Sequence, residues 1–139
     1  MAWSGVEERL SAAKNYWLAT VRPDGRPHVT PVWGVWVDRR LYFDGLPTTR
    51  WGRNLAANPQ AAVHLESADD VVILEGLVED LETTSAELGD RVVRAWTAKY
   101  GRLEPEPVES GIFRLRPHTA RAFTGSLDRG CAWTFEPTK

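Results

Sequence analysis

Two arginines stand three residues apart in Pro47-Thr48-Thr49-Arg50-Trp51-Gly52-Arg53-Asn54-Leu55, a spacing that places both guanidinium groups on one face of a helix. The segment follows an apolar strand, Leu41-Tyr42-Phe43-Asp44, and leads into a short predicted helix that stops near Asn58-Pro59, because proline disfavours helical geometry in the residue before it. Thr48 or Thr49 is the natural N-cap. A helix N-terminus carries about +0.5 of a charge and unpaired N–H groups, so each guanidinium in the first turn is repelled by about 0.3–1 kcal/mol. An anion would offset that repulsion. The arginines, the threonine hydroxyls and the free amides together describe a cradle for a phosphate or carboxylate. A solvated basic turn on a surface loop is the other reading of the same residues.

Composition limits what such an anion could belong to. The chain has 139 residues, enough for one domain with a core of its own. Lys+Arg 17 against Asp+Glu 19 gives a net charge of −2, so no overall positive field draws the chain to nucleic acid or anionic lipid, and a small anionic partner is expected. The single cysteine, Cys131, rules out an internal disulfide and fits a reducing compartment. The apolar runs fall short of a membrane span, and the start of the chain lacks the basic and apolar regions of a signal peptide. A cytoplasmic protein is expected, with no membrane partner. Seven tryptophans supply flat apolar area for the core and a dimer interface, and one or two could face a planar ligand.

The elements that must position the cradle follow from pattern. Val6, Arg9 and Leu10 predict an N-terminal helix with Ser4 as cap and Glu7 completing a capping box. Tyr16–Val21 reads as a strand, Arg22-Pro23-Asp24-Gly25 as a tight turn, and 27–37 as a return strand apolar on both faces. Pro31 marks an edge, bulge or sheet corner. Gly34 either lets a ligand approach the backbone or simply bends the sheet. Strands are expected over 61–66 and 71–81, and a long helix over Leu88, Val92, Ala95 and Trp96, capped within Thr83-Thr84-Ser85 and ended by Gly101. Residues 103–110 read as an exposed loop, a lid or connector, and strands close the chain over 111–116, 118–124 and 131–135. Six or seven strands joined by hairpins, with two or three helices, predict a mainly β fold: an antiparallel barrel with helices packed outside it.

Other chemistry is thinly represented. Glu75 lies between Ile73 and Leu77 on one strand face, which implies an arginine partner or a catalytic acid of raised pKa. His28, His64 and His118 are far apart on different strands, so no metal site is expected. Cys131 reads as a buried inert thiol. No Rossmann or P-loop glycine motif occurs and no catalytic acid is assigned, which suits a protein whose bound cofactor carries the chemistry.

The order Tyr16-Trp17-Leu18-Ala19-Thr20, Pro23-Asp24-Gly25-Arg26-Pro27, Thr30-Pro31-Val32-Trp33-Gly34, Thr49-Arg50-Trp51-Gly52-Arg53-Asn54-Leu55-Ala56-Ala57-Asn58-Pro59 and Val72-Ile73-Leu74-Glu75-Gly76 resembles the split β-barrel flavin and deazaflavin oxidoreductases, relatives of pyridoxamine 5′-phosphate oxidase, over roughly Trp17 to Phe135. The resemblance implies a split barrel that binds FMN or the deazaflavin coenzyme F420 at the interface of a homodimer. It places the cofactor phosphate at Thr48, Thr49, Arg50, Arg53 and Asn54, the backbone of Val32, Trp33 and Gly34 beside the ring system, and Trp133 of the last strand near the partner's site. Two positions depart from the family pattern: Ala132 stands where a basic residue often precedes the tryptophan, and Trp51 replaces a common cradle lysine. The residues by which pyridoxamine phosphate oxidases grip their substrate are not recognisable, so vitamin B6 oxidation is not expected. The implied function is hydride transfer between the cofactor and a planar conjugated small molecule, and the alternative is a non-catalytic flavin, F420 or haem binder. Lysine is scarce against arginine (Lys14, Lys99 and Lys139 only), which hints at a GC-rich genome and inclines the expectation toward F420.

Overall fold

The return strand expected over 27–37 breaks at Trp33, and that break sets the architecture. The computed structural model describes residues 2–125 and 130–135. The elements run α1 (Trp3–Ala12), β1 (Tyr16–Val21), β2 (Pro27–Val32), β3 (Gly34–Val37), β4 (Arg40–Phe43), α2 (Arg50–Ala57), β5 (Gln60–His64), β6 (Asp70–Leu81), α3 (Ala86–Tyr100), α4 (Pro107–Ser110), β7 (Ile112–Thr124) and β8 (Cys131–Thr134). Every strand pairing is antiparallel, in the order β2-β1-β5-β6-β7-β4-β3, with β8 also on β7. β2 and β3 are consecutive in sequence yet occupy opposite edges of this sheet. One residue joins them, so the sheet must curl until its edges meet, giving a half-barrel with its seam at Trp33. Pro27 and Pro31 both fall on edge strand β2, where a missing N–H costs no ladder bond on the open side.

The barrel interior is filled by Leu18, Leu41, Phe43, Val63, Leu74 and Leu115, all fully buried, each contributing about 1.5–3 kcal/mol relative to exposure. Helix α1 adds Val6 and Leu10 to this core. Its N-cap is Ala2, which makes no side-chain cap bond; Ser4 lies inside the helix, so the predicted capping box does not form. A second core lies on the outer face of β3 and β4, where Val92 and Trp96 of α3 pack on Val35, Tyr42 and Ile112. The cap of α3 is Ser85, which accepts from the Leu88 N–H at 3.1 Å, and Gly101 ends the helix in the left-handed region at φ 71°.

Two further expectations are revised. Pro117 does not interrupt the last long strand: β7 runs through it, and the β6 to β7 register shifts by one residue at Glu75/Gly76. A Cβ on Gly76 would lie 2.1 Å from the Arg116 carbonyl, so glycine is what permits the bulge that absorbs the proline. The stretch 103–110 is not an exposed loop throughout. It contains the single turn α4, with Pro105 and Pro107 buried, and the Thr83 hydroxyl donates to the Val108 carbonyl at 2.7 Å.

Candidate functional site

Helix α2 begins at Arg50 and its cap is Thr49, whose hydroxyl accepts from the Gly52 N–H at 3.0 Å and donates to the Leu46 carbonyl at 2.8 Å. The loop before it closes tightly on the helix. A Cβ on Gly52 would lie 2.7 Å from the Pro47 carbonyl, and one on Gly45 would lie 2.3 Å from the Trp51 ring. Trp51 points into the barrel, 5.5 Å from the Phe43 ring and 4.9 Å from that of Phe113. With Trp51 and Leu55 inward, Arg50 and Arg53 are left on the exposed face, and Thr48 is exposed beside them.

Asn54 departs from the cradle predicted for it. It is fully buried, and its amide donates to the equally inward Thr20 hydroxyl at 3.0 Å. It shares the inward face with Trp51 and Leu55 and ties α2 to β1.

Six arginines are paired with carboxylates, whereas Arg50 and Arg53, like Arg22, Arg39, Arg102 and Arg121, have no ion pair among the described residues. Arg26 pairs with Asp24 at 2.8 Å, Arg91 with Asp38 at 2.6 Å, Arg94 with Asp90 at 2.9 Å, Arg114 with Glu79 at 3.0 Å, and Arg9 with Asp70. Two unpaired guanidinium groups on the first turn of a helix, at its positive end, fit a phosphate or carboxylate. The arginine partner expected for Glu75 is also reassigned. Glu75 is exposed, with the Thr119 hydroxyl 3.5 Å away, and the carboxylate that gathers arginines is Glu79, near both Arg114 and Arg116.

The β2–β3 junction is held from behind by the end of α3. Trp33 stacks flat on Tyr100, with ring centroids 4.3 Å apart and planes 2° apart, and the Arg102 guanidinium lies 5.5 Å from the Trp33 ring. The Gly34 N–H donates to the Tyr100 hydroxyl at 3.0 Å, and the Gly34 carbonyl accepts from Lys99 Nζ at 2.8 Å. A Cβ at Gly34 would lie 2.7 Å from the Tyr42 carbonyl. The glycine thus serves the sheet corner, and its backbone groups are engaged within the chain; Val32 beside it is buried. Lys99 also donates to the Tyr16 hydroxyl at 2.8 Å. Burial, and then the nearby charge of Lys14, lowers the Lys99 pKa to about 8. Burial raises the pKa of both Tyr16 and Tyr100. This knot of Tyr16, Lys99 and Tyr100 has no sequence-local signature beyond the rarity of lysine in the chain.

Trp133, on β8, is half-buried and packs on Trp3 of α1, with centroids 5.3 Å apart. The predicted site residues therefore occupy three places: the start of α2, the β2–β3 junction, and β8. Among the described residues no hydrogen bond or ring contact joins one place to another. Cys131 is half-buried and free, and no group of histidine, cysteine and carboxylate side chains that could hold a metal ion occurs among the described residues. Nor is any helix among them long and apolar enough to cross a membrane.

A curled antiparallel half-barrel with external helices defines the split-barrel class of fold. Comparison with known proteins places the chain within that class: the profile of the family described as pyridoxamine 5′-phosphate oxidase matches residues 4–123, and the chain belongs to this family. It is 29% identical over 137 residues to the pyridoxine/pyridoxamine 5′-phosphate oxidase of Rhodopseudomonas palustris strain BisB5, covering 92% of this chain and 64% of that protein. The chain thus spans a little under two thirds of the length of that relative. Among solved structures, an F420 reductase is 28% identical with a TM-score of 0.62, covering 82% of this chain and 94% of the other. The haem storage protein HutZ of Vibrio cholerae shares the fold, at 23% identity and a TM-score of 0.64, covering 83% and 89%.

Proposed function

We propose that this protein is an oxidoreductase that uses a bound deazaflavin, coenzyme F420, or FMN, to transfer a hydride to or from a planar conjugated small molecule. The observation that carries the reading is the pair Arg50 and Arg53 at the start of α2, without a carboxylate partner among the described residues, in a chain whose family is named for a phosphate-bearing ligand. Between the two cofactors, the F420 reductase likeness at 28% identity favours F420. The bound ring would supply the hydride chemistry.

The chain's own residues would do the rest. Arg50 and Arg53 would anchor the anionic tail, with the exposed Thr48 hydroxyl adding a hydrogen bond. Thr49, already committed as cap, would hold the first turn in place for them. The Val32-Trp33-Gly34 backbone would run beside the ring, stiffened by Tyr100 and Lys99 from behind. Rigid positioning of two reacting rings with water excluded is the form of catalysis such a site can offer. The cradle, the junction and Trp133 lie on separate elements of one chain, and a homodimer with the cofactor between subunits would bring a partner's residues to complete the site. A cytoplasmic setting accords with a chain whose single cysteine, Cys131, forms no disulfide.

Parallel absorbance and fluorescence titrations with F420 and FMN test the cofactor. Reducing the loaded protein and offering candidate acceptors then tests catalysis: reoxidation by a planar acceptor supports the enzyme, whereas reoxidation by dissolved oxygen alone leaves a cofactor carrier.

A further inference from the structure

Lys99 is a half-buried ammonium whose hydrogen-bond acceptors, the Tyr16 hydroxyl and the Gly34 carbonyl, are both neutral. Among the described residues no carboxylate lies within ion-pair distance of it. Cations withdrawn from water are normally paired, because desolvation of an uncompensated charge is costly. Here a neighbouring charge makes matters worse, since Lys14 acts on Lys99 as a like charge.

Both lysines line one cleft, of about 410 Å3, where the end of α1, β3 and the last turns of α3 meet. Ser11 and Lys14 line it from the α1 side, Ala98 and Lys99 from α3, and Val35 and Trp36 from β3. Trp36 is fixed there by its indole N–H, which donates to Glu7 at 2.9 Å, so that carboxylate is engaged with the indole. The cleft therefore has two cations, an apolar lining from β3 and Ala98, and the volume of a small-molecule pocket, for which about 300 Å3 is the lower end. None of the cradle residues borders it.

We propose that this cleft binds a small organic acid with an apolar body, its carboxylate between Lys14 and Lys99 and its hydrocarbon or ring against Val35, Trp36 and Ala98. The carboxylate supplies the negative charge that the fold withholds from Lys99. The titratable groups around Lys99 are Lys14 at the end of α1, Tyr16 on β1 and Tyr100 on α3, with Glu7 of α1 across Trp36. Of these only Glu7 is a carboxylate, and it is engaged by the Trp36 indole. A bound carboxylate thus holds Lys99 protonated and moves its titration upward from about 8, and binding weakens as pH rises past that point.

The test uses the full chain with its lysines labelled at 13Cε, octanoate as probe and octanamide as its uncharged counterpart. Octanoate is expected to shift the Lys14 and Lys99 resonances saturably and to raise the Lys99 titration midpoint, while octanamide binds at least about tenfold more weakly. Lys14→Met leaves the contacts of Lys99 to Tyr16 and Gly34 in place and should weaken octanoate about tenfold. Ala98→Phe, on an exposed helix position, should block the apolar half and abolish binding. Equal affinity for octanamide, an unchanged affinity in Lys14→Met, or no saturable shift of either lysine would overturn the proposal. Because the readout is lysine resonance and not cofactor binding, its failure leaves the oxidoreductase reading standing, and the reverse also holds.

Discussion

The first turn of α2 and the last turn of α3 both present cations at a helix end, and they treat them in opposite ways. At α2 the arginines stand at the positive pole of the helix, exposed and without carboxylates. At α3 Lys99 stands at the negative pole, half-buried, with two of its three donors engaged by Tyr16 and Gly34. A helix favours a cation at its C-terminus and disfavours one at its N-terminus. The lysine therefore belongs to the structure of the β2–β3 corner, while local energetics leave the arginines without a structural reason. Charge placed against the helix dipole has no local structural use at α2, whereas the lysine placed with the dipole at α3 also braces the sheet corner beside it.

Substitutions at the two helix ends should separate these roles. The largest effect is expected from Arg50→Ala with Arg53→Ala, which removes two charge-assisted contacts of about 1.5–3 kcal/mol each, or about 10²- to 10⁴-fold in cofactor affinity. Equilibrium denaturation of that variant should change by no more than about 0.5 kcal/mol, as for exposed side chains. Tyr100→Phe inverts the pattern: leaving the buried Gly34 N–H unpaired should cost about 1–3 kcal/mol of stability in the same measurement.

Thr49→Ala should cost about 1 kcal/mol through the lost cap, with helix α2 fraying seen as faster amide exchange at Gly52. The smallest effect is a pH dependence. The Lys99 pKa lies near 8 when folded against an ordinary 10.5, so between these values the unfolded chain binds more protons and stability should rise with pH. Lys99→Met should lose that rise, as checked by denaturation midpoints at about pH 7.5 and about pH 9.5. An unchanged slope would place Lys99 in water and dissolve the contrast between the two helix ends.

The start of α2 and its Thr49 cap were legible in the sequence because every signal for them is local: a threonine before the helix, two arginines one turn apart, and a proline beyond the end. The strand pattern was legible for the same reason, since an apolar and β-branched run in 16–21 and alternation in 61–66 and 71–81 need no partner to be seen. What was hidden depends on distant neighbours. The break at Trp33 arises because β3 pairs with β4 while β2 pairs with β1, and nothing in residues 27–37 announces two different partners. Pro117 passes through β7 only because Gly76, across the ladder, leaves room for a bulge. The Lys99 to Gly34 bond joins residues 65 positions apart. Asn54 is a different case: it falls on the face of Trp51 and Leu55, so helical periodicity points it inward, toward Thr20, even though its sequence neighbours are the cradle residues.

The most direct measurement is a paired titration in which FMN and its phosphate-free counterpart riboflavin, and likewise F420 and its tail-free deazaflavin chromophore, are bound to the wild type and to the Arg50→Ala/Arg53→Ala variant. If the anionic tail is seated on these arginines, the tailed compound should outbind the tail-free one in the wild type and lose that advantage in the variant. An advantage of equal size in both proteins would show that the tail is held elsewhere and would contradict the assignment of the α2 start as the cofactor site.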